Sequence, residues 1–231
     1  MRKIPAGLLL GALAVAGVAG NGQRELAETI VGMRPATKGT IEISGRRVRS
    51  GDPRSAISAG VAYVPEDRLG TGVAPGLSIA SNVVLKSYRR APVSRGPFLQ
   101  FSRIRDLADR AIDKYDVRTS GCQVPAWQLS GGNVQKIVLA REFSGEPAVL
   151  IAASPTRGLD VSSIETVHSY LREAASTGVG VLLLSEDLDE ILALADRIAV
   201  MYEGAVAGER DAESATVEEL GLLMAGGREH D

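Results

Sequence analysis

Cysteine, histidine and aromatic residues are scarce in this 231-residue chain, and their scarcity excludes several classes of protein. The single cysteine, Cys122, excludes an intrachain disulfide framework. One cysteine with two separated histidines, His168 and His230, is not a zinc pattern, and we expect both histidines at the surface. The formal net charge of -2 provides no basic field for nucleic acid, so we expect no nucleic-acid partner.

The longest apolar run lies near the N-terminus, from about Ile4 to Gly20. A basic start followed by apolar and then small residues is typical of a signal peptide, and a membrane anchor is a second alternative. We favour a third interpretation, a buried strand that enters a glycine loop in a cytosolic protein. Gly17, Gly20 and Gly22 have nearly the spacing of a phosphate-binding loop.

Strand and helix patterns alternate along most of the chain, which predicts an α/β fold with a mainly parallel sheet. The spacing of apolar residues becomes helical between about Val83 and Phe143, which indicates an inserted helical subdomain. We therefore expect residues 1–82 and 145–208 to form the two parts of an α/β core. Residues 83–144 would form the helical subdomain, and residues 209–231 a C-terminal tail that is either a weakly packed helix or a frayed end.

The most distinctive motif is LSGGNVQKIVLARE, at residues 129–142. Ser130 is a good helix N-cap, and the two following glycines let backbone amides approach an anion closely. The helix dipole favours the same charge. A plain turn before a core helix is the alternative for these few residues taken alone. The residues of the candidate site are Leu129, Ser130, Gly131, Gly132 and Asn133.

The order of the motifs resembles the nucleotide-binding cassette of ATP-binding cassette (ABC) transporters, from about Val15 to Glu209. YVPEDR, LSGGNVQK and PTRGLD together look most like the second cassette of bacterial importers for simple sugars or nucleosides. The resemblance implies a P-loop NTPase fold with a small antiparallel portion, and ATP and Mg²⁺ as cofactors. Family members carry two fused cassettes, so this chain would be one half. The family's leading strands have no counterpart before the glycine loop, and a truncated, split or mis-started gene would each explain this.

Several positions that carry chemistry in the family are altered here. Gln23 and Arg24 stand where the family has a lysine and a hydroxyl residue. Ala153 and Ser154 replace an aspartate that holds magnesium and a glutamate that activates water. We therefore expect almost no hydrolysis at this chain's own loop, although its amides would still hold phosphate weakly. The loop residues are Gly17, Gly20, Asn21, Gly22, Gln23 and Arg24.

Two further positions depart from the family pattern. Glu66 replaces a glutamine and is a weak candidate for touching magnesium, and Glu186 replaces the switch histidine. No metal site in this chain is expected. Trp127, just before the signature, is predicted to pack within the helical subdomain rather than to stack on adenine.

The resemblance implies that two cassettes pair head to tail, so that the signature and Asp160 serve an ATP bound by the partner. Transmembrane permease subunits and, indirectly, a substrate-binding protein would be further partners. The chain would then act as half of an ATPase at the cytoplasmic face of the bacterial inner membrane. A non-hydrolysing remnant or regulatory scaffold is the alternative.

Overall fold

The computed structural model describes residues 11–227, which divide into two compact units. The core unit contains the described residues up to 63, residues 147–155, and the described residues from 168 onwards. The signature unit contains residues 64–146 and 156–167. The strands in chain order are β1 (Ala12–Ala16), β2 (Ile41–Ile43), β3 (Arg46–Val48), β4 (Val61–Val64), β5 (Ser94–Arg95), β6 (Phe98–Leu99), β7 (Val149–Ala153), β8 (Gly180–Ser185), β9 (Arg197–Tyr202) and β10 (Ala205–Asp211).

The helices complete this alternation, which confirms the predicted α/β class. In chain order they are α1 (Gln23–Ile30), α2 (Pro53–Ser58), α3 (Ile79–Val83), α4 (Phe101–Lys114), α5 (Gly131–Phe143), α6 (Val161–Ser176), α7 (Leu188–Leu194) and α8 (Val217–Met224). Among the described residues, no helix is both long and apolar enough to cross a bilayer.

The core unit is organised by a six-stranded sheet in the order β10-β9-β1-β8-β7-β4. Strand β1 pairs in parallel with both β8 and β9, and β7 pairs in parallel with β8. At the edge of this sheet, β10 pairs with β9 in the antiparallel direction. All five residues of β1 are buried, as expected for a central strand of a parallel sheet. The mainly parallel sheet predicted from the sequence is therefore confirmed.

The position of β1 bears on the apolar N-terminal run. Residues 12–16 lie in the middle of the sheet, which agrees with the predicted buried strand. The part of the run from Ile4 to Leu10 lies outside the described residues, as does His230. The apolar side chains of β1 pack with those of its neighbours and of α1 into one cluster, whose members include Leu13, Val15, Ala27, Val31, Ile151, Leu182 and Leu184.

The C-terminal part of the described chain is ordered, which differs from the weakly packed tail predicted from residue 209. Strand β10 continues to Asp211, and α8 begins with a capping box between Thr216 and Glu219. Leu220 and Leu223 of α8 are buried. A helix is one of the two predicted alternatives for this segment, but α8 is well packed, because its buried apolar residues lie on one face.

The signature unit is mostly helical, but it begins at residue 64 and adds residues 156–167, whereas the predicted subdomain spans residues 83–144. Its helices α3, α4 and α5 bury Ile79, Ile104 and Ile137. Asn82 is also fully buried, and its amide donates to the carbonyls of Ala74, Leu77 and Ser78. A short hairpin, β5–β6, precedes α4.

Candidate nucleotide sites

The predicted nucleotide residues of the core unit meet at one edge of its sheet. Ala16, at the end of β1, pairs with Ser185, at the end of β8, and Ala153, at the end of β7, pairs with Leu184. The loops that follow these three strands therefore leave the sheet side by side, which is where open α/β sheets bind ligands. Gly17, Ser154 and Glu186 are the first residues beyond the three strands.

The glycine loop turns through two glycines in the left-handed conformation. Gly20 and Gly22 have φ values of 90° and 104°, in the left-handed region that favours glycine. Gly22 is also the N-cap of α1, so no side chain caps the first amides of that helix. A Cβ at Gly22 would lie 3.0 Å from Cε of Met201, so this residue has little space for a side chain.

Hydrogen bonds of Asn21 fix the loop to the rest of the core unit. Its side chain is buried, its Nδ2 donates to the carbonyl of Met224 at 3.4 Å, and its Oδ1 accepts from the amide of Glu203 at 3.2 Å. Its carbonyl accepts a further hydrogen bond from the amide of Gly204, at 3.0 Å. The Asn21 amide also donates to the carbonyl of Val18, at 3.1 Å, so both the side chain and the backbone of Asn21 bond within the protein.

The last two residues of the loop, Gln23 and Arg24, both contact groups of the protein itself. The Gln23 amide lies against Gly17, where a Cβ would come within 2.4 Å of its Nε2. Arg24 is exposed and pairs with Glu28, with 2.8 Å between Nε and Oε1. This hydrogen bond raises the pKa of Arg24, and the same bond together with one from Arg34 lowers the pKa of Glu28.

The strand ends beside the loop offer no magnesium ligands of the expected kind. Ala153 is buried, and Ser154, with φ of 41°, donates its amide to the carbonyl of Leu184 at 2.7 Å. Within residues 11–227 no group of three or more His, Cys, Asp or Glu side chains is arranged to hold a metal ion. Magnesium prefers several oxygen ligands, so these residues do not fit the ion.

A buried polar network lies behind Glu186. Nε2 of His168 is 3.2 Å from Oε1 of Glu190, and the Ser185 hydroxyl donates to Oε2 of Glu190 at 2.7 Å. The amide of Asp187 donates to the Ser185 hydroxyl. The prediction that His168 lies at the surface is wrong, since its side chain is buried. Its carboxylate partner, Glu190, lies 22 positions further along the chain, on α7. Glu190 is buried as well.

The signature lies at the exposed start of a helix that is otherwise largely buried. Ser130 and Gly131 are exposed, whereas α5 is buried from Val134 to Gln135 and from Ile137 to Glu142. Ser130 occupies the predicted N-cap position but makes no hydrogen bond to the helix amides. Its hydroxyl instead accepts from Nδ2 of Asn133 at 2.8 Å. The first amides of α5 therefore have no side-chain cap.

Asp160 lies beside the second signature glycine. A Cβ at Gly132 would fall 2.5 Å from Oγ of Ser163 and 3.8 Å from Oδ2 of Asp160. Asp160 accepts hydrogen bonds from the Ser162 hydroxyl at 2.7 Å and from the Ser163 amide and hydroxyl at 3.0 and 2.8 Å. These bonds, the one from the Ser162 hydroxyl first, hold the pKa of Asp160 well below its ordinary value. The signature and Asp160 are thus brought together, with Asp160 charged and fixed.

Two arginines of the signature unit were not singled out from the sequence. Nη1 of Arg68 lies 3.1 Å from the position of a Cβ on Gly131, and burial lowers the pKa of Arg68. Arg157 forms an ion pair with Glu66. The Glu66 carboxylate is therefore engaged by a cation, which disfavours the magnesium contact considered for it. Arg68 lies in the motif YVPEDR and Arg157 in PTRGLD, so the motifs themselves could have identified both arginines.

Comparison with known proteins agrees with this arrangement. The family model described as ABC transporter matches residues 10–157, which is more than half of the chain. The chain belongs to the ABC transporter family. Its matched segment begins before the glycine loop and ends within the PTRGLD motif.

Two relatives of this ABC cassette are import proteins. It is 44% identical over 215 residues to the glucose import ATP-binding protein TsgD13 of Haloferax volcanii, covering 92% of this chain and 39% of that protein. It is 41% identical over 224 residues to the nucleoside import ATP-binding protein NupA of Lactococcus lactis, covering 97% of this chain and 44% of that protein. The cassette thus spans about two fifths of the length of the curated relatives it matches.

The fold of the cassette also matches solved structures. A dimeric ATP-binding cassette, MJ0796, bound to ADP and phosphate, superimposes with a TM-score of 0.74 over 88% of this chain and 86% of that one. The sequence identity is 19%, so this likeness supports the fold alone. It confirms the predicted cassette architecture.

Two side chains near the signature differ in exposure. Trp127 is 61% exposed, so the prediction that it packs within the helical subdomain is wrong. The short helical turn that carries it, Ala126–Gln128, buries only Ala126. Cys122 is buried, and desolvation raises the pKa of its thiol, which makes it a poor nucleophile.

Proposed function

We propose that this cassette helps to drive import of a simple sugar or nucleoside by donating its signature to an ATP held on the phosphate loop of a second cassette. One observation carries the proposal. The amides at the start of α5 are exposed and uncapped beside a fixed Asp160, whereas the chain's own loop lacks its cation and both carboxylates. The import names of the two relatives support the class of substrate.

The residues of the signature unit suit phosphate oxygens. Backbone amides at Gly131 and Gly132 and the Ser130 hydroxyl would donate to the phosphate, and the α5 dipole would favour its charge. ATP supplies the phosphoryl group, and the partner's own ligands would hold Mg²⁺. Asp160, which is deprotonated, would meet groups on the partner across the same interface.

Little turnover is expected at the chain's own loop. Phosphoryl transfer depends on positioning and on neutralisation of charge. Loss of a single preorganised electrostatic donor costs about 10²–10³ in rate, and here a cation, a metal ligand and a general base are all replaced. Gln23, Ala153 and Ser154 mark these three positions. The pair of cassettes would then have one competent ATP site.

The same proposal includes the remaining partners and the location. Permease subunits would carry the solute across the membrane, and a substrate-binding protein would deliver it to them. The cassette would bind the permease from the cytoplasmic face of the inner membrane. This placement rests on the family and on the import names of the relatives.

The test is an ATPase assay on a mixture of two cassettes. The partner has an intact phosphate loop but an inactivated signature, so that its turnover requires this chain. We expect activity with the wild-type chain and a loss of at least about 10²-fold with Ser130→Arg, because the bulky cation blocks the amides of α5. Ser176→Arg is the matched control, since Ser176 is an exposed serine at the end of α6.

The outcomes separate this proposal from the alternative of a regulatory scaffold. Equal activity of the wild-type and Ser130→Arg mixtures contradicts donation of the signature. A scaffold predicts no ATP-dependent association with the partner, which size-exclusion chromatography with and without ATP would reveal. Activity that depends on Ser130 but also on Ser176 would point to a folding defect instead.

A further inference from the structure

A long segment of the signature unit carries charge of only one sign. Between Asp67 and Asp106 every charged residue is basic, although the whole chain has a net charge of -2. Lys86 is neutralised by Glu142 at 2.6 Å. Arg89, Arg90 and Arg95 are exposed and form no ion pair with a carboxylate of the described residues. A positive surface therefore remains on an acidic protein.

The same segment folds into a fixed hairpin with an exposed tip. Arg95 of β5 pairs with Phe98 of β6, which places their side chains on the same face of the ribbon. Gly96 makes the turn, with φ of 61°. At the base, Val93 is 1% exposed and its carbonyl accepts from the amide of Gln100 at 2.9 Å. The base is thus anchored in the unit, and the tip projects into solvent.

The hairpin and the residues on either side of it carry exposed aromatic side chains. Phe98 and Phe101 are 71% and 74% exposed, and they are two of the only three phenylalanines in the chain. Leu99 and Tyr88 are also exposed, and the Arg89 guanidinium lies 5.2 Å from the centre of the Tyr88 ring. Several large apolar side chains exposed within one short segment are typical of an interaction site. We name residues 88–103 the basic aromatic hairpin.

We propose that the basic aromatic hairpin binds the surface of an anionic lipid bilayer. The side chains of Phe98 and Phe101 would enter the headgroup region, and Arg89, Arg90 and Arg95 would bind lipid phosphates. Aromatic rings next to basic groups suit this boundary, where one end of a site is apolar and the other is wet. The inference rests on the proposed function, which places the cassette beside the inner membrane.

Charge favours lipid over a permease loop as the occupant. Cytoplasmic loops of membrane proteins carry an excess of lysine and arginine, so they would repel three unpaired arginines. The cytoplasmic leaflet is negative and attracts such groups within a Debye length. The hairpin therefore complements the leaflet in charge as well as in polarity.

The experiment is co-sedimentation of the full chain with protein-free vesicles. We expect binding to vesicles that contain phosphatidylglycerol, little binding to pure phosphatidylcholine, and release at high salt. The double variant Phe98→Ser, Phe101→Ser should lower partitioning about tenfold or more. Arg95→Gln should lower it about fivefold. Met33→Ser and Arg54→Gln, which alter exposed residues of the core unit, are the matched controls and should bind like the wild type.

Three results would overturn the inference. These are equal binding to neutral and anionic vesicles, equal loss with hairpin and control variants, and binding only to membranes that contain the permease. The last result would assign the hairpin to a protein partner. Circular dichroism of each variant checks the fold. In the two-cassette ATPase assay the hairpin variants should retain activity, and Ser130→Arg should retain vesicle binding, so the two proposals fail independently.

Discussion

The glycine loop before α1 and the signature before α5 both begin a helix at glycines, but they differ in the side chains that accompany those glycines. The loop has Gly20 and Gly22 in left-handed conformations and carries Gln23 at the position where the resemblance expects a lysine. The signature keeps both its open amides and a fixed carboxylate, Asp160. Both regions thus begin a helix at glycines, and they differ in the polar and charged side chains beside those glycines.

The packing of the two regions sharpens this contrast. The polar side chains of the loop contact the protein itself. Asn21 bonds to the backbone of Met224 and Glu203, and the Gln23 amide lies against Gly17. At the signature, Ser163 and Asp160 crowd Gly132 but leave Ser130 and Gly131 exposed. The two regions therefore differ in what surrounds their glycines: side chains of the protein itself in the loop, and solvent at Ser130 and Gly131.

The largest effect is expected from a single methyl group at the signature. In Gly132→Ala the new Cβ would overlap Oγ of Ser163, at 2.5 Å, and displace the start of α5. We expect partner-dependent ATPase activity to fall about 10²-fold, as for loss of one preorganised donor. The control is Gly145→Ala, where the Cβ meets no atom within 4 Å.

Removal of the clash should then rescue the variant. Adding Ser163→Ala to Gly132→Ala removes the nearest oxygen and should restore part of the activity. If Gly132→Ala retains full activity, the close packing at this glycine does not matter for function, and the contrast between the two regions weakens.

An intermediate effect is expected from the carboxylate beside the signature. Asp160→Asn removes a charge that accepts three hydrogen bonds, and charge-assisted bonds are the stronger kind. We expect partner-dependent activity to fall about tenfold, because the start of α6 is then held less firmly. Asp189→Asn, an exposed acid in the first turn of α7, is the control.

The pH dependence of stability provides a second readout for Asp160. Its folded pKa is lowered, so its contribution to stability is present above its ordinary pKa of 3.8 and is lost as pH falls below that value. The difference in urea midpoint between wild type and Asp160→Asn should be constant from about pH 5 to pH 8 and shrink in more acidic solution. A difference that grows on acidification would contradict the assigned hydrogen bonds.

The smallest effect is expected at the loop. Gln23→Ala should leave partner-dependent activity within about twofold of the wild type, because the site already lacks the groups that phosphoryl transfer requires. The unfolding free energy should change by less than about 1 kcal/mol, as for a partly exposed polar residue. The matched change at the signature is Ser130→Ala, which should lower activity more. A larger loss for Gln23→Ala would show that the chain's own loop takes part in turnover.

Local patterns were sufficient for much of this molecule. The alternation of strands and helices, the glycine loop and the signature helix all follow from residues a few positions apart, and the structure has each of them in place. The identities of Gln23, Ala153 and Ser154 needed no coordinates, because an absent charge is visible in the letters. The predicted burial of Trp127 and exposure of His168 failed, since burial depends on what packs against a side chain.

By itself the sequence determined which chemical groups are present and which backbone turns present them. Only the tertiary structure decided which groups meet. Asn21 reaches Met224 and Arg157 reaches Glu66 across separations of 203 and 91 positions. Ser163 likewise lies on Gly132 from a different helix. Local preferences act over a few residues, whereas such pairings are fixed by the packing of whole elements, which no short stretch of sequence specifies.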